Sequence, residues 1–212
     1  MQGLDEIIVN AIIHTVKKEI NSKDLDGIEQ QLQNSGMHMA DIFYKFPEMK
    51  RSLFRFTNDL KIIEDEILKD FLAIEHTPGT SEIWLVIKNQ YLIEIILKTF
   101  ADEDKKAIID LIRDKPETIP KILERCKIPN TSGYRKMNQL IDDKMIMTTG
   151  LAETFEGKRA ITYKSIIQKI QILINGNEII AKIVVNQKTL DSSEIIRAIV
   201  EINQDKAKTL AN

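Results

Sequence analysis

The sequence contains very little cysteine and histidine. One cysteine, Cys126, and three histidines occur in 212 residues, and His14, His38 and His76 each stand alone. A single thiol cannot form an internal disulfide and suits a reducing compartment. These residues also lack the spacing of a structural or catalytic metal site. We therefore expect a cytoplasmic protein that carries no metal and no other cofactor.

Long apolar runs are also lacking. No stretch of about 18 apolar residues is present, so we expect no transmembrane helix and no membrane partner, and the N-terminus has no cleavable signal pattern. A hydrophobic content of 43% with 29% charged residues is ordinary for a globular protein. We find no nucleophile paired with a base and no glycine-rich phosphate loop, so the chain is not expected to be an enzyme.

A strong charge of one sign is missing as well, but the charge is unevenly distributed. The net charge of the chain is −2, and residues 1–101 hold 11 Lys and Arg against 16 Asp and Glu. Residues 102–165 hold 13 against 11, and residues 166–212 hold 6 against 5. A surface for nucleic acid is therefore expected in the middle third rather than in the first.

Helical periodicity dominates the first hundred residues. Residues 3–21 and 24–34 are predicted helices, and the apolar stripe of the first fits either a core helix or a helix that pairs with its twin in a homodimer. Residues 48–75 repeat apolar side chains every three or four positions, which predicts a third helix. Residues 82–100 are interpreted as a connecting helix with a break near Asn89, although β-branched clusters leave their first part open between helix and strand.

The middle third has a pattern typical of two helices joined by a short turn. Residues 102–114 form one predicted helix, and Thr118 is expected to cap a next helix that has Pro120 in its first turn. A short link at 127–129 leads into a helix predicted within residues 129–146. We expect Asn130, Thr131 and Ser132 to cap that helix, and Tyr134, Met137, Leu140 and Ile141 to form its apolar stripe.

A β-hairpin is predicted directly after this helix. Residues 146–154 and 159–165 are the expected strands, and a turn centred on Gly157 joins them. Lys158 and Arg159 lie at its tip, where they would contact phosphates or the minor groove, or else would be ordinary solvated charges. Helix, turn, helix and hairpin together favour the DNA-contacting interpretation.

The C-terminal part adds a second hairpin and a last helix. Asn175-Gly176-Asn177 between two β-branched runs is a strong hairpin signal. Asp191 with Glu194 resembles a capping box for a helix that extends to about residue 208. That helix is expected either to pack on the rest of the chain or to dimerise.

Residues 101–165 resemble the winged helix-turn-helix domain of archaeal transcriptional regulators of the ArsR-like fold. The likeness is carried by residues 101–112, by Ile119-Pro120-Lys121-Ile122-Leu123 and by residues 128–136, where a Tyr-Arg pair is followed by Met137 and Leu140. Where such regulators have a glycine before the first strand, this chain has Lys144. The two-hairpin tail is similar to regulators of ammonia-oxidising archaea, and residues 8–75 are similar to a small helical output domain. Metal sensing, known from some ArsR-type proteins, is not carried over because Cys126 stands alone.

These observations predict a mainly α (α+β) protein with an N-terminal helical domain followed by a winged helix-turn-helix, an extra β-hairpin and a C-terminal helix. The expected segments are 1–80 for sensing, output or dimerisation, 81–100 as connecting helix, 101–165 for DNA binding and 166–212 for the hairpin and last helix. The N-terminal domain would take an effector or a protein partner. The predicted function is transcription regulation by a homodimer on double-stranded DNA, and the alternative is a winged-helix module for protein–protein interaction. The DNA-binding candidates are Thr131, Ser132, Tyr134, Arg135, Lys136, Gln139, Lys158 and Arg159.

The candidates are assigned different roles. Arg135 and Gln139 would read base edges, because Arg can bridge guanine and Gln adenine with two hydrogen bonds. Lys136, Lys158 and Arg159 would mainly contact phosphates. Tyr134 either packs in the core or donates to a phosphate.

Overall fold

The computed structural model describes residues 2–20, 22–44, 67–69, 71–80, 82–153 and 157–210. The chain is a mixed α+β protein in which helices pack against two antiparallel sheets. The helices are α1 Gln2–Glu19, α2 Ser22–Asn34, α3 Met39–Tyr44, α4 Gln90–Ala101, α5 Glu103–Leu111, α6 Ile119–Cys126, α7 Asn130–Asp142, α8 Gln187–Ser192 and α9 Glu194–Leu210. The strands are β1 Leu72–His76, β2 Ile83–Ile87, β3 Glu117–Thr118, β4 Ile146–Glu153, β5 Arg159–Ser165, β6 Ile170–Asn175 and β7 Glu178–Val185. None of the helices within these ranges has both the length and the apolar character needed to cross a lipid bilayer.

The larger sheet joins strands that lie far apart in the sequence. Its strand order is β1-β2-β7-β6, and every neighbouring pair is antiparallel. All five residues of β2 are buried, as expected for a central strand of β-branched and aromatic residues. Because β1 and β2 come from the first hundred residues and β6 and β7 from the last fifty, three of the four predicted segments contribute to this one sheet.

One helical prediction fails where this sheet forms, and one open choice between helix and strand is decided. The helix expected over residues 48–75 lies outside the described residues as far as residue 66, and Leu72–His76 is strand β1 instead. Ile83–Ile87 is likewise a strand, whereas α4 begins only at Gln90. Pairing with β7 decides the outcome at β2, since a buried β-branched run satisfies its backbone groups in a sheet as well as in a helix. The break at Asn89 is confirmed: its side-chain oxygen accepts a hydrogen bond from the Leu92 N–H at 3.0 Å.

The first helix buries its apolar stripe within its own chain. Ile8, Ala11 and Ile12 are fully buried, and Val16 is nearly so, with α1 packed against α3, α4 and α9. Of the two interpretations of the stripe, the core helix is therefore the one that the structure supports. Residues of α9 such as Ile195, Ile196 and Ile199 are buried in the same way, so that helix also packs on the rest of the chain.

The smaller sheet is built from the middle third, and its strand order is β3-β5-β4. Both predicted hairpins, β4–β5 and β6–β7, are confirmed in antiparallel register. Lys144, just before β4, has φ 59°. A lysine thus occupies the left-handed region that favours glycine, at some cost in strain.

The predicted cap of the last helix is wrong. Asp191 lies inside the short helix α8, and Ser193 follows it, with its Oγ accepting from the Ile196 N–H at 3.1 Å. The Ser193 hydroxyl also donates to Asp5 Oδ1 at 2.6 Å. Ser193 therefore both caps α9 and joins it to α1.

Candidate nucleic-acid interface

Helices α6 and α7 are packed closely through a glycine. The turn between them is Lys127, in the left-handed conformation at φ 57°, followed by Ile128 and Pro129. A Cβ atom on Gly133 would lie 2.5 Å from a Cδ of the buried Leu123. Only glycine allows the two helices to approach this closely without movement of Leu123, so Gly133 fixes the position of α7 on the rest of the domain.

The buried side of α7 differs from the predicted stripe. Gly133, Met137 and Leu140 are buried, at positions i, i+4 and i+7, and Ile141 is half-buried. Tyr134 is 44% exposed, so of the two roles left open for it the structure does not support core packing. The small Gly133, rather than the large Tyr134, begins the stripe because close helix packing needs the smaller residue.

The solvent side of α7 presents a polar row. Thr131, Tyr134, Arg135 and Asn138 are all exposed and recur at i, i+3, i+4 and i+7, which places them on one helix face. Asn138 was not among the sequence candidates. Its spacing from Thr131 and Tyr134 could have identified it, since an asparagine side chain can bond adenine with two hydrogen bonds. Gln139, the candidate chosen instead, is half-buried beside this row.

The predicted side-chain cap of α7 is not formed. The N-cap residue is Pro129, no side chain caps the helix, and Asn130 already belongs to its first turn. Ser132 Oγ donates to the Pro129 carbonyl oxygen at 3.1 Å. The backbone N–H groups of this first turn therefore lack a side-chain acceptor, and helix N-termini of this kind favour phosphate oxygens.

Lys136 does not lie on the exposed row. Its ammonium donates to Asp102 Oδ1 and Oδ2 at 2.6 and 2.8 Å and lies 2.9 Å from Asp104 Oδ2, while its side chain is only 15% exposed. Asp102 is the N-cap of α5 and accepts from the N–H groups of Asp104 and Lys105. Lys136 therefore joins α7 to the start of α5, and its charge is already balanced by two carboxylates.

The pKa values of this pair move in opposite directions. The hydrogen bond to Asp102 is the largest influence on Lys136 and raises its pKa. At Asp102, burial by itself would raise the pKa, but the hydrogen bonds from Lys136 and from backbone N–H groups outweigh it, and the pKa is lowered. Both groups are therefore charged throughout the neutral range.

The β4–β5 hairpin holds the two remaining sequence candidates. Arg159 begins β5 opposite Glu153, and Lys158 directly precedes it; both are exposed. A register shift between Thr148 and Gly150 marks a β-bulge, and Thr149 Oγ1 lies 3.0 Å from Thr162 Oγ1. Such a bulge bends a hairpin and changes its direction.

The same hairpin carries an exposed apolar pair. Leu151 and Ile161 are opposite each other in the register and are 62% and 48% exposed. Exposed apolar side chains that lie next to each other can form part of a binding surface. They could pack on a sugar–phosphate edge or on a protein partner.

A cleft of about 690 Å³ lies between the two sheets. Gly3 and Asp5 of α1, Met147 of β4, Lys164 of β5 and Val184 of β7 are among its lining residues. Its size is that of small-molecule sites. Burial raises the pKa of the Asp5 carboxyl, although the hydrogen bond from Ser193 opposes the shift.

The single thiol lies beside the core. Cys126 is half-buried against the core, and burial raises its pKa, so it is a poor thiolate. Within the described ranges, no group of three or more His, Cys, Asp or Glu side chains is arranged to hold a metal ion.

No protein-family model, curated protein or solved structure matches this chain. The resemblance to archaeal regulators therefore stays a prediction.

Proposed function

We propose that this chain is a transcriptional regulator that binds duplex DNA through a winged helix-turn-helix, as a homodimer. The supporting observation is the polar face of α7, formed by Thr131, Tyr134, Arg135 and Asn138, on a helix held against α6 by the Gly133–Leu123 contact. A recognition helix needs one face for its own core and a second for phosphates and base edges.

The order of elements is consistent with this proposal. Residues 103–165 follow the sequence α5, β3, α6, α7, β4, β5, and the three strands form one sheet. In a winged helix-turn-helix the second and third helices make the turn motif, and the terminal hairpin is the wing. Here α7 would occupy the major groove and the β4–β5 hairpin would reach an adjacent phosphate or the minor groove.

The structure suggests different roles for the exposed cations. Arg135 lies on the same face as Asn138, so Arg135 would bond guanine and Asn138 adenine. Lys158 and Arg159 on the wing would contact phosphates without regard to sequence. Lys136, which bonds Asp102 and Asp104, would contribute to the position of α7 rather than to DNA contact.

The test compares binding of a selected operator-like duplex with binding of random duplex over a range of salt concentrations. Arg135→Ala should weaken specific binding by about 1–3 kcal/mol and relax base preference at one position. Lys158→Ala should weaken both duplexes alike and reduce the salt slope by about one. Lys23→Ala, on the exposed surface of α2, is the matched control and should change neither. If Arg135→Ala weakened both duplexes equally and left base preference intact, base reading by α7 would be refuted.

The exposed Leu151–Ile161 pair favours a second candidate, a winged-helix module that docks a protein. Such a module would show no salt-dependent affinity for random duplex at low salt. In that case Leu151→Lys should abolish capture of the partner, whereas Arg135→Ala should leave it unchanged.

A further inference from the structure

Strand β6 is an edge strand of the larger sheet among the described residues. Its sequence is Ile-Gln-Ile-Leu-Ile-Asn and contains no charged residue and no proline. Among the described strands it pairs only with β7. Leu173 is 45% exposed and Ile174 is 70% exposed. A long, apolar and uncharged edge of this kind invites another strand, and proteins commonly protect such edges with charge, proline or cover.

The backbone groups that face outward can be assigned from the register. The Val184 N–H donates to the Lys169 carbonyl oxygen at 3.0 Å, just before β6 begins. In antiparallel pairing, alternate residues of a strand bond to one neighbour, so Lys169, Gln171 and Leu173 bond β7. Ile170 and Ile172, together with Ile174, therefore direct their N–H and C=O groups away from the sheet.

The opposite edge of the same sheet is protected. Strand β1 ends in Glu75 and His76, and the side chain of Asn203 on α9 donates to the Leu72 carbonyl oxygen at 3.1 Å. By contrast, the cation next to β6 does not protect that edge. Lys169 is held 2.8 Å from Glu82 Oε1 and 5.2 Å above the Trp84 ring of its own sheet.

We propose that two copies of this chain dimerise by antiparallel pairing of their β6 strands, across a two-fold axis at Ile172. Centred there, Ile172 lies opposite its own copy, and Ile170 lies opposite Ile174 of the other chain. All outward-facing groups of both strands are then used, in about six hydrogen bonds. The two four-stranded sheets become one continuous sheet.

A second copy is the occupant that this edge fits. A two-fold interface must be complementary to itself, and a strand without charge can lie beside its own copy without repulsion. The isoleucines of one face meet isoleucines, and Gln171 meets Leu173 on the other face. This inference depends on the homodimer in the proposed function but not on the DNA contact.

The first test measures molar mass by sedimentation equilibrium of the full chain without DNA, over a range of concentrations. The wild-type chain should show a reversible monomer–dimer equilibrium. Ile172→Pro removes an outward-facing donor and takes no hydrogen bond from the β6–β7 ladder, as proline requires on an edge strand, although it also shortens a side chain that packs on the core; it should be monomeric. Ile174→Lys, at a side chain that is 70% exposed, should be monomeric as well, and Ile172→Val should dimerise like the wild type.

The second test fixes the register by oxidative cross-linking in a Cys126→Ala background. Ile172→Cys should form a disulfide-linked dimer, because facing residues of a hydrogen-bonded pair have Cα atoms about 5.5 Å apart, within disulfide reach. Ile174→Cys is more exposed but should not cross-link, since its copy would lie roughly 14 Å away along the strands. Equal cross-linking of both variants would overturn the register.

The outcomes test the β6 dimer interface and the proposed DNA contact independently of each other. A wild-type chain that is monomeric at every concentration would overturn the dimer, and dimeric Ile172→Pro and Ile174→Lys variants would overturn the β6 surface. Because these measurements contain no DNA, neither result bears on contact by α7. Conversely, a wild-type dimer that Ile172→Pro converts to a monomer would support this interface. If that wild-type dimer showed no salt-dependent DNA binding, the DNA contact would be refuted.

Discussion

Lys136→Met tests whether Lys136 stabilises the fold or contacts DNA. The substitution keeps most of the apolar stem and removes an ammonium that lies 2.6–2.9 Å from three carboxylate oxygens of Asp102 and Asp104. Exposed ion pairs contribute about 0–1 kcal/mol, whereas breaking a buried pair costs about 3–5 kcal/mol. Asp102 and Asp104 are 30% and 43% exposed. We therefore expect an intermediate loss of about 1–2 kcal/mol in the free energy of unfolding.

The assay is urea unfolding of both proteins at neutral and at acidic pH. The folded-state pKa of Lys136 is raised, so its contribution is complete below the ordinary lysine pKa and is lost only as pH rises through the raised value. The pKa of Asp102 is lowered, so its contribution is present above its ordinary value of 3.8 and is lost as pH falls through the lowered value. The difference between wild type and Lys136→Met should be largest at neutral pH and should shrink below about pH 3.

The control is Lys106→Met on the exposed side of α5, which should unfold like the wild type at both pH values. In random-duplex binding, Lys136→Met should retain the wild-type salt slope. Unchanged stability together with a reduced salt slope would refute the structural role and return Lys136 to the phosphate-contacting residues.

Three further predictions concern single positions. Gly133→Ala should lower the free energy of unfolding by about 1–3 kcal/mol, because its Cβ would overlap Leu123 in a packed contact; Gly27→Ala on α2, where the added Cβ meets nothing within 4 Å, should not lower it. Asn138→Ala should relax preference for one base pair in a selection experiment but leave urea unfolding unchanged, and a loss of stability would argue against its place on the exposed face. Asp5→Asn should raise the free energy of unfolding at pH 7 but not at pH 3. Burial raises the pKa of Asp5, so the ionised carboxyl destabilises the fold as pH rises through that pKa. An equal gain at both pH values would contradict this reasoning.

Local signals in the sequence were sufficient for the middle third. Helices α5, α6 and α7 and the β4–β5 hairpin lie within a few residues of their predicted bounds, because each is specified by its own periodicity, capping types or turn residues. The same holds for β6 and β7 around Asn175-Gly176-Asn177. These elements need little information from distant parts of the chain.

Strands β1 and β2 could not be predicted in that way. Their apolar residues are dense enough to fit a helix, and the decision comes from β7, which pairs with β2 from Ile83↔Val185 to Ile87↔Ala181. A single sequence does not reveal which distant segment will supply the neighbouring strand. The helix predicted over residues 48–75 fails at β1 for this reason, and the sequence leaves the choice between helix and strand open at β2.

The candidate site was predicted correctly as a helix but incorrectly in its rotation. Spacing of the large apolar residues predicts a buried stripe that includes Tyr134, and it gives no sign that Asn138 shares the exposed face with Tyr134. The stripe begins one residue earlier, at Gly133, because the closest contact between two helices admits only a small side chain. For Lys136, the sequence shows a cation but cannot show that Asp102, more than thirty residues earlier, is its partner.

The position of Lys136 also strengthens the case for a dimer. The middle third has a net charge of only +2, and one of its lysines is occupied by two aspartates. Arg135 on α7 and Lys158 and Arg159 on the wing would then carry most of the electrostatic attraction in one copy. The two phosphate contacts proposed for the wing correspond to a salt slope of about −2, which is modest for tight binding to an operator. Two copies joined through β6 would double that slope and place two recognition helices on one duplex, and affinity gained in this way needs no additional contact within either copy.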